Sequence, residues 1–394
     1  MSAARGTRAA LAAETPLRPC TDLGNAERLV DRCGGLVRYD HAGARWLVWD
    51  GRRWVVDRTD DVGRLAKETI RGIRDEAARA GHERRRKLLL HALASESDVR
   101  IRAMLARAKA EPGLAVTRDR LDANPLELTV ANGRLDLRTS ALSPHRPDAY
   151  ATKLSPVEYY PGAECRQWLR FLHRIFGGDA QLIGYLQRAV GYSLTGKTTE
   201  DVLFLLHGSG ANGKSTLLEV LRAMLGEYAA CAAFDTFLQR REGGPREDIA
   251  RLDGARFVTA TEGREGRRLD EALIKSVTGG DMVTARHLYQ GSFEFVPQFK
   301  LWLATNHLPR IEGGDDAIWR RIRLIPFGVQ IPEAERDPGL VDRLRTELPG
   351  RGCRTRARRR AGTGSRRARC TTRIATGAAG AGSIRVRGSS LSGG

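Results

Sequence analysis

Leu203-Phe204-Leu205-Leu206-His207-Gly208-Ser209-Gly210-Ala211-Asn212-Gly213-Lys214-Ser215-Thr216-Leu217-Leu218 decides how the rest of the chain is read. A short apolar run, a glycine-rich turn and the opening of an amphipathic helix follow one another. Within them Gly208 to Ser215 completes G-x-x-x-x-G-K-[ST] in the strand–turn–helix context that this pattern requires. Gly208, Gly210 and Gly213 are expected to take backbone angles closed to side chains, so that successive N–H groups turn inward and cradle a phosphate. The partial positive charge of the helix N-terminus acts at the same point. The nucleotide-binding stretch is then Gly208, Ser209, Gly210, Ala211, Asn212, Gly213, Lys214, Ser215 and Thr216. Lys214 is expected to neutralise the β and γ oxygens of ATP, and the Ser215 hydroxyl to ligate Mg²⁺.

Working outward, Leu217, Leu218, Leu221, Met224 and Leu225 recur at helical spacing and Gly226 offers a stop. Upstream, two more apolar helical stripes precede the loop. Trp168, Leu169, Phe171, Leu172, Ile175 and Phe176 end at Gly177-Gly178, and Leu182, Ile183, Leu186, Val190 and Leu194 end near Gly196. Downstream, Ala255 to Ala260 reads as a buried strand ending on Thr261-Glu262. A carboxylate there, Glu262, is placed to hold the Mg²⁺ water shell and polarise the attacking water. Asp248 to Leu252 and Leu269 to Gly280 read as helices, and Met282 to Tyr289 with Ser292 to Val296 as two strands. Phe299 to Thr305 is another buried strand, after which the amide of Asn306 can sense a γ-phosphate or orient water. Trp319-Arg320-Arg321 precedes a further strand, Ile322 to Phe327.

The N-terminal part is mixed. Trp46 to Val56 predicts a hairpin with an Asp50-Gly51 turn, and Leu128 to Leu137 a second one turned by Asn132-Gly133. Trp46, Trp49 and Trp54 either stack on bases or form the hairpin's own core, and the core reading is preferred. Val62 to Ala110 is helical and charged, with Arg84-Arg85-Arg86-Lys87 on a solvated face or against phosphates. Pro144 and Pro147 mark a linker.

The net charge of +19 over 394 residues is unevenly spread. Residues 351–394 hold twelve arginines and no acid, which leaves +7 for the first 350, so bulk charge alone is weak support for a nucleic-acid partner. Cys20, Cys33, Cys165, Cys231, Cys353 and Cys370 form no C-x-x-C pair, which argues against a zinc ribbon and fits reduced thiols in a cytoplasm. No run approaches the ~20 apolar residues of a membrane span, and no signal peptide is read.

In this order the motifs resemble those of the superfamily-3 helicases, specifically the helicase half of phage and plasmid primase-helicases. The resemblance runs from about Asp148 to Pro332, and more loosely from Asp22. Gly208 to Thr216 matches motif A, Thr261-Glu262 motif B, Lys275 through Gly279-Gly280-Asp281 to Arg286 the B′ element, and Leu303-Ala304-Thr305-Asn306 motif C. It implies an α/β fold, with an AAA+-like P-loop NTPase core of parallel sheet preceded by a small helical domain and a mixed α+β N-terminal region. The corresponding segments are 1–147, 148–200, 201–350 and an Arg/Gly-rich tail, 351–394. It also implies homo-hexameric rings on single-stranded or forked DNA, with ATP sites shared between neighbours. Arg320 or Arg321 matches the position of an arginine finger, and Arg286, His287 and Tyr289 that of a DNA-contacting hairpin. Lys275 either touches DNA or nucleotide or is an exposed lysine on its helix.

Three departures stand out. Thr261 occupies the place of motif B's first acid, so Glu262 serves alone or with Glu265. No primase polymerase signature is present, so primer synthesis is left to a separate primase or replication initiator. The tail reads either as a nucleic-acid-binding arm or, preferably, as an out-of-frame product of a GC-rich gene. The expected activity is ATP-dependent DNA unwinding in replication of a mobile element. A DNA-translocating or packaging ATPase and an inactive DNA-binding scaffold are the alternatives.

Overall fold

The computed structural model describes residues 17–239, 246–261, 267–286, 291–311 and 316–348. The chain forms two compact units, Met1–Tyr159 with Leu225–Tyr228, and Tyr160–Met224 with Ala229–Gly394.

The first unit opens with α1 (Asp22–Cys33), whose first turn is capped by Thr21 Oγ1 accepting from Gly24 N at 3.1 Å. Then come β1 (Val37–Asp40), β2 (Arg45–Trp49) and β3 (Trp54–Val56), three helices, α2 (Asp61–Arg79), α3 (His82–Ser95) and α4 (Asp98–Ala108), and β4 (Ala115–Val116). The strands form a sheet in the order β3-β2-β1-β4. Val37, Trp46 and Val48 on one face pack with Leu29, Val62, Ile70 and Met104 of the helices. The other face carries Leu47 and Trp54, covered by Leu121 and Tyr150. The tryptophans are thus largely core: Trp54 is 1% exposed and Trp49 tilts against it at 5.6 Å between ring centres.

Both expected hairpins form, but neither turn is the one the sequence predicts. Trp49 pairs with Trp54 across a four-residue loop in which Asp50 Oδ1 accepts from Arg52 N and Arg53 N, and only Gly51 of Asp50-Gly51 is left-handed (φ 96°). The side chain of Asp50 supplies the bonds that a primed backbone turn would have made. In the second hairpin β5 (Glu127–Val130) and β6 (Gly133–Asp136) pair Val130 with Gly133, so Ala131-Asn132 is the corner and Gly133 belongs to the strand. A Cβ at Gly133 would sit 2.6 Å from the Ser143 carbonyl oxygen in β7 (Leu142–Ser143), which is the reason for glycine there.

The second unit begins with α5 (Arg166–Ile175) and α6 (Ala180–Leu194), followed by β8 (Leu203–His207) and α7 (Lys214–Leu225). Next come β9 (Ala229–Cys231), α8 (Glu247–Ala250), β10 (Phe257–Thr261) and α9 (Glu271–Gly279). The ribbon β11 (Val283–Arg286) and β12 (Ser292–Phe295) leads to β13 (Lys300–Thr305), α10 (Asp316–Trp319), β14 (Ile322–Pro326) and α11 (Leu340–Thr346). Five strands form a parallel sheet in the order β14-β8-β13-β10-β9. Leu203 to Leu206 of β8 and Leu301 to Ala304 of β13 are apolar and buried on both faces, as expected of strands inside a parallel sheet.

Helix ends follow the local chemistry. Asp179 Oδ1 accepts from Gln181 N and Leu182 N at the start of α6, and Asp270 accepts from Leu273 N at the start of α9. α5 is capped from far along the chain: Glu347 Oε1 and Oε2 accept from Gln167 N and Trp168 N at 2.9 and 3.0 Å. The two helices before β8 pack directly on the sheet and its loop, within one compact unit. Ser193 Oγ accepts from Trp302 Nε1 at 3.1 Å, and the Phe176 and Phe327 rings lie 5.0 Å apart.

Candidate functional site

Parallel pairing puts the ends of β8, β10, β13 and β14 in register, and this places the candidate residues. Thr305 pairs with His207, Ala304 with Thr261, and Pro326 with His207. The glycine-rich loop after β8, Asn306 after β13 and the end of β10 therefore share the carboxyl edge of the sheet, where open α/β sheets bind ligands.

The loop is built from two kinds of glycine. Gly210 (φ 97°) and Gly213 (φ 86°) are left-handed as expected, and Ala211 joins them at φ 46°. Gly208 does not have a left-handed φ, which corrects the expectation; it is required for space. A Cβ on it would lie 2.4 Å from Asn212 Nδ2 and 2.4 Å from the Phe327 carbonyl oxygen. At Gly213 a Cβ would meet Ile175 Cγ2 of α5 at 2.6 Å, so this helix seals the loop from behind. Ala211 O accepts from Ile331 N at 2.8 Å, which ties the segment after β14 to the loop.

Lys214, 6% exposed, donates through Nζ to Gly208 O at 2.7 Å, Asn212 Oδ1 at 3.1 Å and Asn306 Oδ1 at 3.1 Å. All three acceptors are neutral, and Lys214 has no acidic partner among the described residues. Burial holds its ammonium below the ordinary lysine value, and the same cause, reinforced by Lys214, lowers His207. A buried cation served only by neutral oxygens is matched to an anionic ligand. Ser209 and Ser215 are exposed at the same place, and Thr216 is half-buried.

The structure therefore brings together the glycine loop, Lys214, Ser215 and Asn306. Thr261 ends β10 at the same edge; Glu262 and Glu265 lie outside the described residues. Arg320 and Arg321 are elsewhere. Ile322 pairs with Leu203, at the amino edge, so five residues of strand, roughly 15 Å, separate this pair from its own loop. The two arginines also differ from each other. Arg320 is exposed, whereas Arg321 is 9% exposed, donates to Ala317 O at 2.9 Å and lies 3.8 Å from Asp201 Oδ2. Lys275 is half-buried on α9, and Arg286 is exposed at the end of β11. His287 and Tyr289 lie outside the described residues, as does the 351–394 tail.

Sequence reasoning missed the part that Asn212 plays. Its buried amide accepts from Lys214 and donates to Phe327 O at 3.3 Å, joining the lysine to the end of β14. No local pattern announces a contact between residues 115 positions apart.

Comparison with known proteins gives two family matches, the first ending and the second beginning within the second unit. Residues 26–177 match the family model described as D5 N terminal like, and residues 206–321 match a family of unknown function, DUF5906. The chain is 31% identical over 213 residues to "Putative helicase L207/L206" of Acanthamoeba polyphaga mimivirus, covering 52% of this chain and 22% of that protein. It is 29% identical over 231 residues to "Putative helicase 121R" of Invertebrate iridescent virus 3, covering 56% and 24%. It is 27% identical over 215 residues to "Putative primase C962R" of African swine fever virus (isolate Warthog/Namibia/Wart80/1980), covering 52% and 22%. The chain thus spans about a quarter or less of the length of these relatives. The solved apo structure of the NrS-1 C-terminal region shares the fold, with a TM-score of 0.51 at 13% identity over 84% of this chain and 67% of that one. The similarities are thus to proteins named as putative helicases and a putative primase of DNA viruses, and to a D5 N terminal like region. Among the described residues no helix is long and apolar enough to cross a membrane.

Proposed function

We propose that this chain is an ATP-dependent DNA helicase of a replication system, working as a ring of identical subunits, with ATP and Mg²⁺ bound at Gly208–Thr216. The observation that carries this reading is the meeting of Lys214 Nζ and Asn306 Oδ1 at 3.1 Å on the carboxyl edge of a parallel sheet. Similarity to the viral proteins named as helicases and to a D5 N terminal like region adds to it.

The residues present fit a bound nucleotide. The left-handed glycines leave the loop's N–H groups unobstructed; at Gly210 nothing lies within 4 Å of where a Cβ would be. ATP with Mg²⁺ supplies the phosphoryl group that is transferred and the charge that balances it. Lys214 exchanges neutral acceptors for phosphate oxygens, which are stronger partners for a buried ammonium. Ser215, exposed beside Lys214, would hold the ion, and Glu262 would accept the proton of the attacking water. Asn306, released by Lys214, orients that water. Arg320, exposed and at the far edge from its own loop, is assigned to a neighbour's site in the ring. Arg286, with Lys275, His287 and Tyr289, is assigned to the DNA side, and primer synthesis to a separate partner.

DNA-stimulated ATP hydrolysis and strand separation on a fork test the reading. Wild-type protein should show both, and Lys214→Ala neither, with its melting profile retained. Movement along blunt duplex without strand separation would favour a packaging or translocating ATPase instead. DNA binding without any hydrolysis would leave only a scaffold.

A further inference from the structure

The outer face of α3 is unusual for a surface helix. Its inner stripe, Leu88, His91, Ala92 and Ser95, is buried, with Leu88 and Ala92 against Ile73 and Ala77 of α2. Its outer stripe carries Leu89, Leu90 and Leu93 at 44%, 61% and 66% exposure, and Val99, in the first turn of α4, is 72% exposed. A single exposed leucine needs no explanation, but positions 89, 90 and 93 are neighbours on a helix surface and form one apolar patch. Arg85, Arg86 and Lys87 are exposed on the N-terminal side of that patch and have no ion pair among the described residues. Glu96 stands on its C-terminal side, and among the described residues its side chain pairs only with Arg74, at the surface where solvent can replace it.

This arrangement is its own complement. Arg86, Leu89, Leu90, Leu93 and Glu96 lie on one stripe about 15 Å long at 1.5 Å per residue. Turning the helix end for end about position 91 exchanges 86 with 96 and 89 with 93. An antiparallel copy would set arginine against glutamate at both ends and leucine against leucine between them, as an isologous contact demands. We infer that α3 docks antiparallel on α3 of a second copy of this chain about a twofold axis. Nucleic acid would use Arg85, Arg86 and Lys87 but leave three leucines in water, so it fits the face less well. The contact does not depend on the ATPase reading, and it is distinct from the head-to-tail contacts of a ring.

The test is a charge swap read by sedimentation of the full chain over a range of concentrations, without nucleotide. Wild type should show reversible pairing. Arg86→Glu and Glu96→Arg should each weaken it about tenfold or more, because each puts two like-charge pairs in the contact. The double variant Arg86→Glu, Glu96→Arg should restore it. Leu90→Lys should also abolish pairing while the circular dichroism melt stays unchanged, which separates loss of contact from loss of fold. A chain that is monomeric throughout, single reversals without effect, or a double variant that fails to recover would each overturn the proposal. So would single-strand DNA affinity, read by anisotropy of a labelled oligonucleotide, falling in Arg86→Glu while the mass is unaltered.

Discussion

Replacing Gly208 by alanine tests the site's architecture without assuming any activity. The added methyl would lie 2.4 Å from the Phe327 carbonyl oxygen, 2.4 Å from Asn212 Nδ2 and 3.0 Å from the Phe327 Cβ. Ordinary contact begins near 3.4 Å, so the loop and the segment after β14 must separate by about 1 Å. Asn212 can swing away, but that gives up its 3.3 Å bond to Phe327 O and one acceptor of Lys214. Phe327 cannot, because its own N–H donates to His207 O at 2.7 Å and fixes the carbonyl in place. Overpacking of about 1–3 kcal/mol and a lost hydrogen bond of about 1 kcal/mol give roughly 2–4 kcal/mol. At about 2–4 °C per kcal/mol for a unit of this size, the melting temperature should fall by roughly 4–16 °C. Gly210→Ala is the control: it has φ 97° but open space around it, so only backbone strain of about 1–2 kcal/mol applies. Thermal melts by circular dichroism without nucleotide should therefore rank Gly208→Ala below Gly210→Ala. Equal melting of Gly208→Ala and wild type, or the reverse order, would refute the argument that the chain after β14 is clamped on the loop.

The two arginines before β14 should separate by assay. Arg321→Ala should lower the melting temperature, since it empties a buried site bonded to Ala317 O; Arg320→Ala should leave melting unchanged. If Arg320 acts on a neighbour, Arg320→Ala should cut ATP turnover by about 10³ or more, and mixing with Lys214→Ala should recover part of it; full activity of Arg320→Ala alone would remove the shared site. His91 donates from Nε2 to Asn25 Oδ1 at 2.9 Å, and Asn25 Nδ2 donates to Ser95 Oγ at 3.0 Å, all buried. Burial, then Arg28 and Arg100, lowers the His91 pKa below its ordinary 6.5. The unfolded chain therefore binds the extra proton first, so His91's contribution to stability is complete above 6.5 and declines as pH falls from there toward the lowered value. Melting measured against pH should show this decline in wild type and a shallower one in His91→Gln, and parallel slopes would show that the histidine does not couple folding to protons.

Much of this protein is legible along the chain because the informative signals are local. The apolar run at 203–206, the glycines at 210 and 213 and the periodic leucines after them specify strand, turn and helix through backbone angles and burial, which need no distant partner. The same holds for the stop at Gly280, left-handed at φ 79°, and for the stripe of α5. What local pattern left open was whatever depends on strands far apart in sequence. The turn at Asp50 took its bonds from a side chain, and Gly208 is glycine because residue 327 arrives beside it. Arg320 and Arg321, adjacent in sequence and alike in chemistry, became one exposed and one buried residue only when the short helix α10 and Asp201 were set around them. Sequence alone determined which residues carry charge, apolar surface and backbone freedom. Tertiary structure decided which of them meet, because the parallel register lines up strand ends that the chain keeps as much as 119 residues apart, and it is that register that puts Asn306 on Lys214 and leaves the arginines at the opposite edge.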